Sequence, residues 1–265
     1  MGLFGAATAW GADCASPARP GIDWRTCDKR HLTLDEGDLT GARLRDTSFR
    51  DARMRGVILE GAQGYWVKFN DADLSKARLG GGAFESGDFS SAKLEGANLR
   101  EAVFKDAKMH DAILDDVNGY RANFTNATLT SADLKDGDFT EADFSEANLG
   151  YAYLQNSKFV RARFQKSALD HVNASSASFA EADLSKARMD GGTFERTDFS
   201  RATLEGASLR KANLRGAKFE RASLRGADLT DARLASTNLR DADLSGALWI
   251  DGKTRCKEGS RGECE

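Results

Sequence analysis

Two prolines, three histidines and no long apolar run mark this 265-residue sequence by what it leaves out. Without a stretch of roughly 20 apolar residues there is no membrane-spanning helix to be read, and no membrane insertion is expected. The histidines His31, His110 and His171 are scattered, and no nucleophile–base pair, Gly-rich phosphate loop or metal motif accompanies them. The chain is therefore read as not an enzyme, with no catalytic residue and no cofactor. An excess of one charge is missing too: 38 Lys and Arg face 41 Asp and Glu, a net charge of −3. That balance lacks the basic excess that releases counterions from a phosphate backbone, so no nucleic-acid ligand is expected. It equally lacks the heavy acidity of a nucleic-acid mimic. The charge is uneven, however: residues 101–150 hold eleven acids and four bases, and residues 201–249 hold six acids and nine bases.

What is present is a register of five. From Leu34 to Trp249 every fifth residue is large and apolar, the exceptions being Gly64, Gly119 and Ala174. Two residues before each of these centres, from Gly37 to Ala247, the side chain is always Ala, Gly, Val, Thr or Ser. No insertion breaks the register between Leu34 and Trp249. A period of five fits neither a helix at 3.6 nor a flat strand at 2.0. One large and one small inward position in each pentad describe a chain that turns a corner every pentad. Four such corners close a square coil, four pentads to the turn, and stacked coils make a solenoid.

The pentads read Ala72-Asp73-Leu74, Ala97-Asn98-Leu99, Ala147-Asn148-Leu149 and Ala227-Asp228-Leu229. This pattern resembles the pentapeptide-repeat family over about four-fifths of the chain. The resemblance implies an all-β fold, a right-handed quadrilateral parallel β-helix, here with about 11 coils of four pentads each over residues 32–249.

Sorting the centres by every fourth pentad supports the coil independently. Phe49, Phe69 and Phe89 share one column; Phe84, Phe104, Phe124, Phe144 and Phe164 a second; Phe139, Phe159, Phe179, Phe199 and Phe219 a third; Phe194 stands alone. Coils stack at the strand spacing of about 4.8 Å, so each ring is expected to lie on the next in an offset stack. Gly64, Gly119 and Ala174 each stand one coil before the first ring of a new column, which implies that the missing side chain makes room for it. A larger duplication relates residues 71–100 to 181–210, identical at 21 of 30 positions. The copies lie five and a half coils apart, so they face opposite sides of the rod.

Open solenoid ends template aggregation, so caps are expected at residues 12–31 and 250–265. All four cysteines lie outside the repeat. A rod of about 11 coils spans roughly 50 Å, too far for a bridge between its ends. The pairing open to one chain is Cys14–Cys27 and Cys256–Cys264, with four free thiols as the alternative. Pro20-Gly21-Ile22-Asp23-Trp24 and Trp249-Ile250-Asp251-Gly252 look like the caps of extracytoplasmic bacterial members of the family. Stapled ends favour an oxidising compartment, periplasmic or secreted. Residues 1–11, apolar and small, read as a signal-peptide remnant or a tail.

Three surface features remain. The residues two past each centre in one column run Glu101, Arg121, Glu141, Arg161, Glu181, Arg201, Arg221, Asp241, an ion-pair ladder or else a docking stripe. Asp115, Asp116, Asp133 and Asp136 crowd one face, where either a hard cation or the neighbouring Lys135 would relieve their repulsion. Tyr65, Trp66, Tyr120, Tyr151 and Tyr153 are outward aromatics, suited to partner contact or to covering the wall beside Gly64 and Gly119. The expected function is a non-enzymatic scaffold presenting a rod to a protein or envelope partner. The alternative comes from the family resemblance: some members mimic DNA and bind DNA gyrase.

Overall fold

The computed structural model describes residues 12–265. Its β-structure consists of single bridged residues, each joined to its equivalent one coil on, from Asp23↔Arg43 to Asp228↔Leu248, all parallel. A chain that bends at every pentad has no straight run long enough for an extended strand. The fold is therefore all-β by its ladders, which are one residue wide on each face. We number the faces by their centres: the first carries Trp24, Leu44 and so on to Leu244; the second Lys29, Phe49 to Trp249; the third Leu34, Met54 to Leu234; the fourth Leu39, Leu59 to Leu239. The bridge at Asp23 lies inside the segment expected as a cap, so coil geometry begins before the apolar register becomes regular.

Backbone hydrogen bonding explains the pentad residue by residue. Taking Leu74 as a centre, its N–H donates to Lys93 C=O at 2.7 Å and that of Lys76 to Glu95 C=O at 2.8 Å, both one coil on. The bridging Asp73 N–H donates back to Ala52 C=O at 2.9 Å, and Ala77 N–H closes the corner turn onto Leu74 C=O at 2.9 Å. Four of five amides are thus satisfied by the coil itself. The fifth, just after the centre, is met by the Asp or Asn just before it: Ser75 N–H donates to Asp73 Oδ1 at 3.1 Å, Tyr120 to Asn118 at 3.2 Å, and Thr230 to Asp228 at 2.9 Å. This Asx turn is the physical reason for the polar residue between Ala and Leu. Where a hydroxyl follows the centre it donates to the same carboxylate, as Ser75 and Ser90 do at 2.6 Å.

Each corner requires positive φ two residues past the centre, and every such position from Gly21 to Gly246 has it. Thr26 is the one β-branched residue among them. Branching at Cβ suits this left-handed conformation poorly.

The interior is filled. Every repeat phenylalanine is at most 1% exposed. Within columns the rings stack, with centroids 5.2 Å apart for Phe104–Phe124, 4.8 Å for Phe124–Phe144 and 4.9 Å for Phe199–Phe219. Between columns they meet edge to face, as Phe84–Phe89 at 87° and Phe159–Phe164 at 76°. A Cβ added at Gly64 or Gly119 would come within 2.6 Å of Phe84 or 2.4 Å of Phe139, so the columns begun by Phe84 and Phe139 start in the space of an omitted side chain. Gly82, Gly137 and Gly192, two residues before Phe84, Phe139 and Phe194, yield room to the same rings from beside them.

Both ends are stapled. Cys14–Cys27 and Cys256–Cys264 are disulfides. Cys27 takes an inward small position of the coil and is 2% exposed. Lys29, in a centre position, lies 3.8 Å above the Trp24 ring and donates to Cys14 C=O at 2.8 Å. At the other end the chain reverses, pairing antiparallel at Leu248↔Arg255 and Asp243↔Arg261. The expectation for residues 1–11 lies outside the described residues.

Candidate interaction surface

With the core solid, chemistry is confined to the outside. The described surface carries open grooves, such as one of about 560 Å³ near Arg50 and Asp88 and one of about 500 Å³ near Tyr151. His31 lies 4.0 Å from Asp51, His110 shares a 3.0 Å hydrogen bond with Ser90, and His171 stacks under Tyr151. The three sit apart along the rod, and the Ser90 hydroxyl beside His110 also lies 2.6 Å from Asp88 Oδ1, to which it donates.

The column from Glu101 to Asp241 occupies the corner after the fourth face. Glu141 lies between Arg121 at 2.6 Å and Arg161 at 2.8 Å, and Tyr120 Oη donates to it at 3.2 Å. Hydrogen bonds from Arg121 and then Arg161 hold its carboxyl down at about 2. Elsewhere the column is looser: Arg201–Glu181 is 3.6 Å, Arg221–Asp241 is 3.9 Å, and Glu101 pairs at 3.5 Å with Arg100 of its own coil. Tyr120 is half-buried between Arg100 at 4.4 Å and Arg121 at 4.9 Å. It belongs to the ladder. The wall at Gly119 is closed from inside by Phe139.

The acidic group on the third face does not converge. Lys135 pairs with Asp133 at 2.9 Å and Asn156 donates to Asp136 at 3.0 Å. Among the described residues no set of three or more metal-ligating side chains is arranged to hold an ion. Of the four carboxylates Asp115, Asp116, Asp133 and Asp136 expected to draw either a cation or Lys135, Asp133 is met by Lys135 and Asp136 by the Asn156 amide. Partial burial, then Asp133 and Asp116, push the Asp115 carboxyl up.

The exposed aromatics form two patches. Tyr65 and Trp66 stand 40% and 49% exposed, with Arg45 4.7 Å over the Trp66 ring. Tyr151 is 62% exposed and stacks on His171 at 4.9 Å, and Tyr153, 48% exposed, follows on the third face. Ile113, two coils away in the same bridged column as Tyr153, is also exposed. Sequence reasoning missed Ile113. Its signal was an aliphatic residue in the outward position just before a centre.

A family model described as pentapeptide repeats matches residues 30–63, 157–196, 177–216 and 212–248, and a pentapeptide repeat region model matches 87–164. The crystal structure of HetL, a protein involved in heterocyst differentiation regulation from the cyanobacterium Nostoc sp. strain PCC 7120, is 30% identical. That match covers 84% of this chain and 91% of HetL with a TM-score of 0.50. The chain belongs to the pentapeptide-repeat family. Its fold is thus the right-handed quadrilateral β-helix of these proteins, which are generally structural or interaction proteins. A pentapeptide repeat protein of the cyanobacterium Cyanothece 51142 is 32% identical over 38% of this chain and 63% of its own, with a TM-score of 0.22. QnrB1, a plasmid-mediated fluoroquinolone resistance protein, is 18% identical over 82% of this chain and 88% of its own, with a TM-score of 0.33. No curated protein sequence matches the chain. No helix among the described residues is long and apolar enough to cross a membrane.

Proposed function

We propose that this pentapeptide-repeat protein is a non-enzymatic scaffold of an extracytoplasmic compartment. Its disulfide-stapled rod of about eleven coils would present a flank to a protein or envelope partner. The observation that carries this reading is the pair Tyr151 and Tyr153, 62% and 48% exposed on a flank that also exposes Ile113, over a packed core. Aromatic rings supply large contact area at low entropic cost, which is why they anchor interfaces. The two disulfides support an oxidising location.

The test is capture of a partner from an envelope fraction by the wild-type rod and by a Tyr151→Ser/Tyr153→Ser variant. Loss of one captured protein, with melting unchanged, supports the flank as the contact. Equal capture by both overturns it. The DNA-mimic alternative finds less support, because Arg121 and Arg161 bracket Glu141 and break the acidic strip such a mimic needs.

A further inference from the structure

The C-terminal end of the rod is only half closed. Residues 250–265 fold over the first and second faces: Leu244 N–H donates to Ser260 C=O at 3.0 Å, Gly246 N–H to Cys256 C=O at 2.9 Å and Trp249 N–H to Thr254 C=O at 2.8 Å. The third and fourth faces stop at Leu234 and Leu239, which are only partly buried against the core.

One coil earlier the same edge is fully paired. Leu214 N–H donates to Arg233 C=O at 3.0 Å, Gly216 N–H to Ala235 C=O at 2.9 Å, and Ala212 C=O accepts from Arg233 N–H at 2.9 Å. On the last coil the equivalent Leu234, Ser236 and Leu239 N–H and Ala232 and Thr237 C=O find no backbone partner among the described residues. Such an edge is a template for strand addition.

Charge lies beside it. Arg196, Arg215 and Arg233 stand on the third face in three successive coils, and none forms an ion pair among the described residues. Their neighbours differ: Arg210 pairs with Asp228 at 3.4 Å and Arg225 with Glu258 at 2.7 Å. Glu195, the acid within this group, already accepts from Asn213 Nδ2 at 2.8 Å. A groove of about 380 Å³ between Arg215, Arg233, Leu234 and Ala235 opens at the same edge.

We propose that this half-open edge docks an extended acidic peptide segment of a partner protein, added as one more parallel strand on the third face. The partner's backbone would accept from Leu234 and Ser236 N–H and donate to Ala232 C=O, while its carboxylates meet Arg215 and Arg233. The inference rests on the scaffold reading only in taking the partner to be a protein. A second copy of the chain continuing the same coil fits less well. Setting its Leu34 on Leu234 would drive its Trp24 and Lys29 into the places that Leu244 and Trp249 fill.

The test uses a short peptide alternating glutamate and valine, with amide NMR and hydrogen exchange on the full chain. The amides of Leu234 and Ser236 should shift and exchange more slowly on peptide addition. Arg215→Glu/Arg233→Glu should weaken binding by about tenfold or more, one decade being about 1.4 kcal/mol, and turn the preference toward a lysine–valine peptide. Equal binding of a peptide N-methylated at alternate residues would overturn the proposal, since charge attraction alone would then suffice. Protection of the same amides by self-association, without peptide, would overturn it too. Peptide binding that persists while the Tyr151→Ser/Tyr153→Ser variant captures every partner as before would fault the flank reading alone.

Discussion

Residue by residue, the pentad is a packing and hydrogen-bonding unit, and its predictions follow from which of the two a substitution disturbs. Phe124 stacks on Phe104 and Phe144 at 5.2 and 4.8 Å and meets Phe139 edge on at 6.1 Å. Phe124→Ala should cost about 3–5 kcal/mol in chemical denaturation, as a cavity in a core that has no room to collapse. Gly61 tests the corner instead. A Cβ there meets no atom within 4 Å, yet φ is +62°. Gly61→Val should therefore cost about 1–2 kcal/mol from conformation alone, and Gly61→Asn distinctly less, as read from paired melting curves. Glu141 tests the surface. Its carboxyl is held at about 2 by Arg121 and then Arg161, so its charged form favours the fold. That contribution is complete above the ordinary glutamate value of about 4.3 and disappears as pH falls through about 2. Glu141→Gln should flatten this acid limb, with a salt-sensitive difference between variant and wild type. A carboxyl NMR titration of Glu141 checks the value directly. Much at this scale was legible, because inward positions admit few residue types. The left-handed corner was not read, although the near absence of β-branched residues two past each centre was its signature. The glycines beside Phe84, Phe139 and Phe194 also went unread, since a period of five cannot say which neighbour a small residue yields to.

Among the elements, the stacked coils and the caps differ in how far a perturbation travels. In a solenoid each coil contacts its neighbours alone, so local damage spreads weakly. The C-terminal cap is held by Cys256–Cys264, by two antiparallel bridges, and by Arg225 reaching both Glu258 and Asp243 at 2.7 and 3.2 Å. A Cys256→Ser/Cys264→Ser variant gives up about 2.5 kcal/mol by the loop-entropy relation. The loss should be local: Leu244 and Gly246 amides, bonded to Ser260 and Cys256, should exchange faster while Phe124 and Leu129 amides keep their protection. Uniform loss of protection along the rod would show the cap to be part of one cooperative unit. The pairing of the cysteines was readable because coil geometry leaves one partner within reach of each. The antiparallel reversal of the cap was not, since residues 250–265 carry no period from which a register can be argued. The same holds for the half of the C-terminal end that its cap leaves open.

For the whole molecule, the fold was legible and the partner was not, and the cause is physical: the inward positions are over-determined by packing, the outward ones by little beyond solubility. Charge along the rod still decides between functions. A DNA mimic offers an unbroken negative strip to a basic groove, so its binding is strong at low salt and falls steeply as salt rises. Here Glu141, on the corner after the fourth face, is clamped by two guanidinium groups. Glu181 is met by Arg201 at 3.6 Å, and Asp241 by Arg221 at 3.9 Å. The acidic group on the third face is interrupted by Lys135 and gives way, toward the C-terminal end, to Arg196, Arg215 and Arg233. A basic groove laid along either strip meets like charge before it has passed more than a few coils. The purified rod, at micromolar concentration and low ionic strength, is therefore expected neither to inhibit gyrase supercoiling nor to relieve a quinolone block. Reversing Arg121, Arg161, Arg201 and Arg221 to glutamate would restore a continuous strip, and a gain of salt-sensitive inhibition in that variant alone would show that the arginines exclude the activity. Salt-sensitive inhibition by the wild-type protein would instead remove the scaffold reading and its extracytoplasmic setting together, because the target enzyme works on chromosomal DNA in the cytosol.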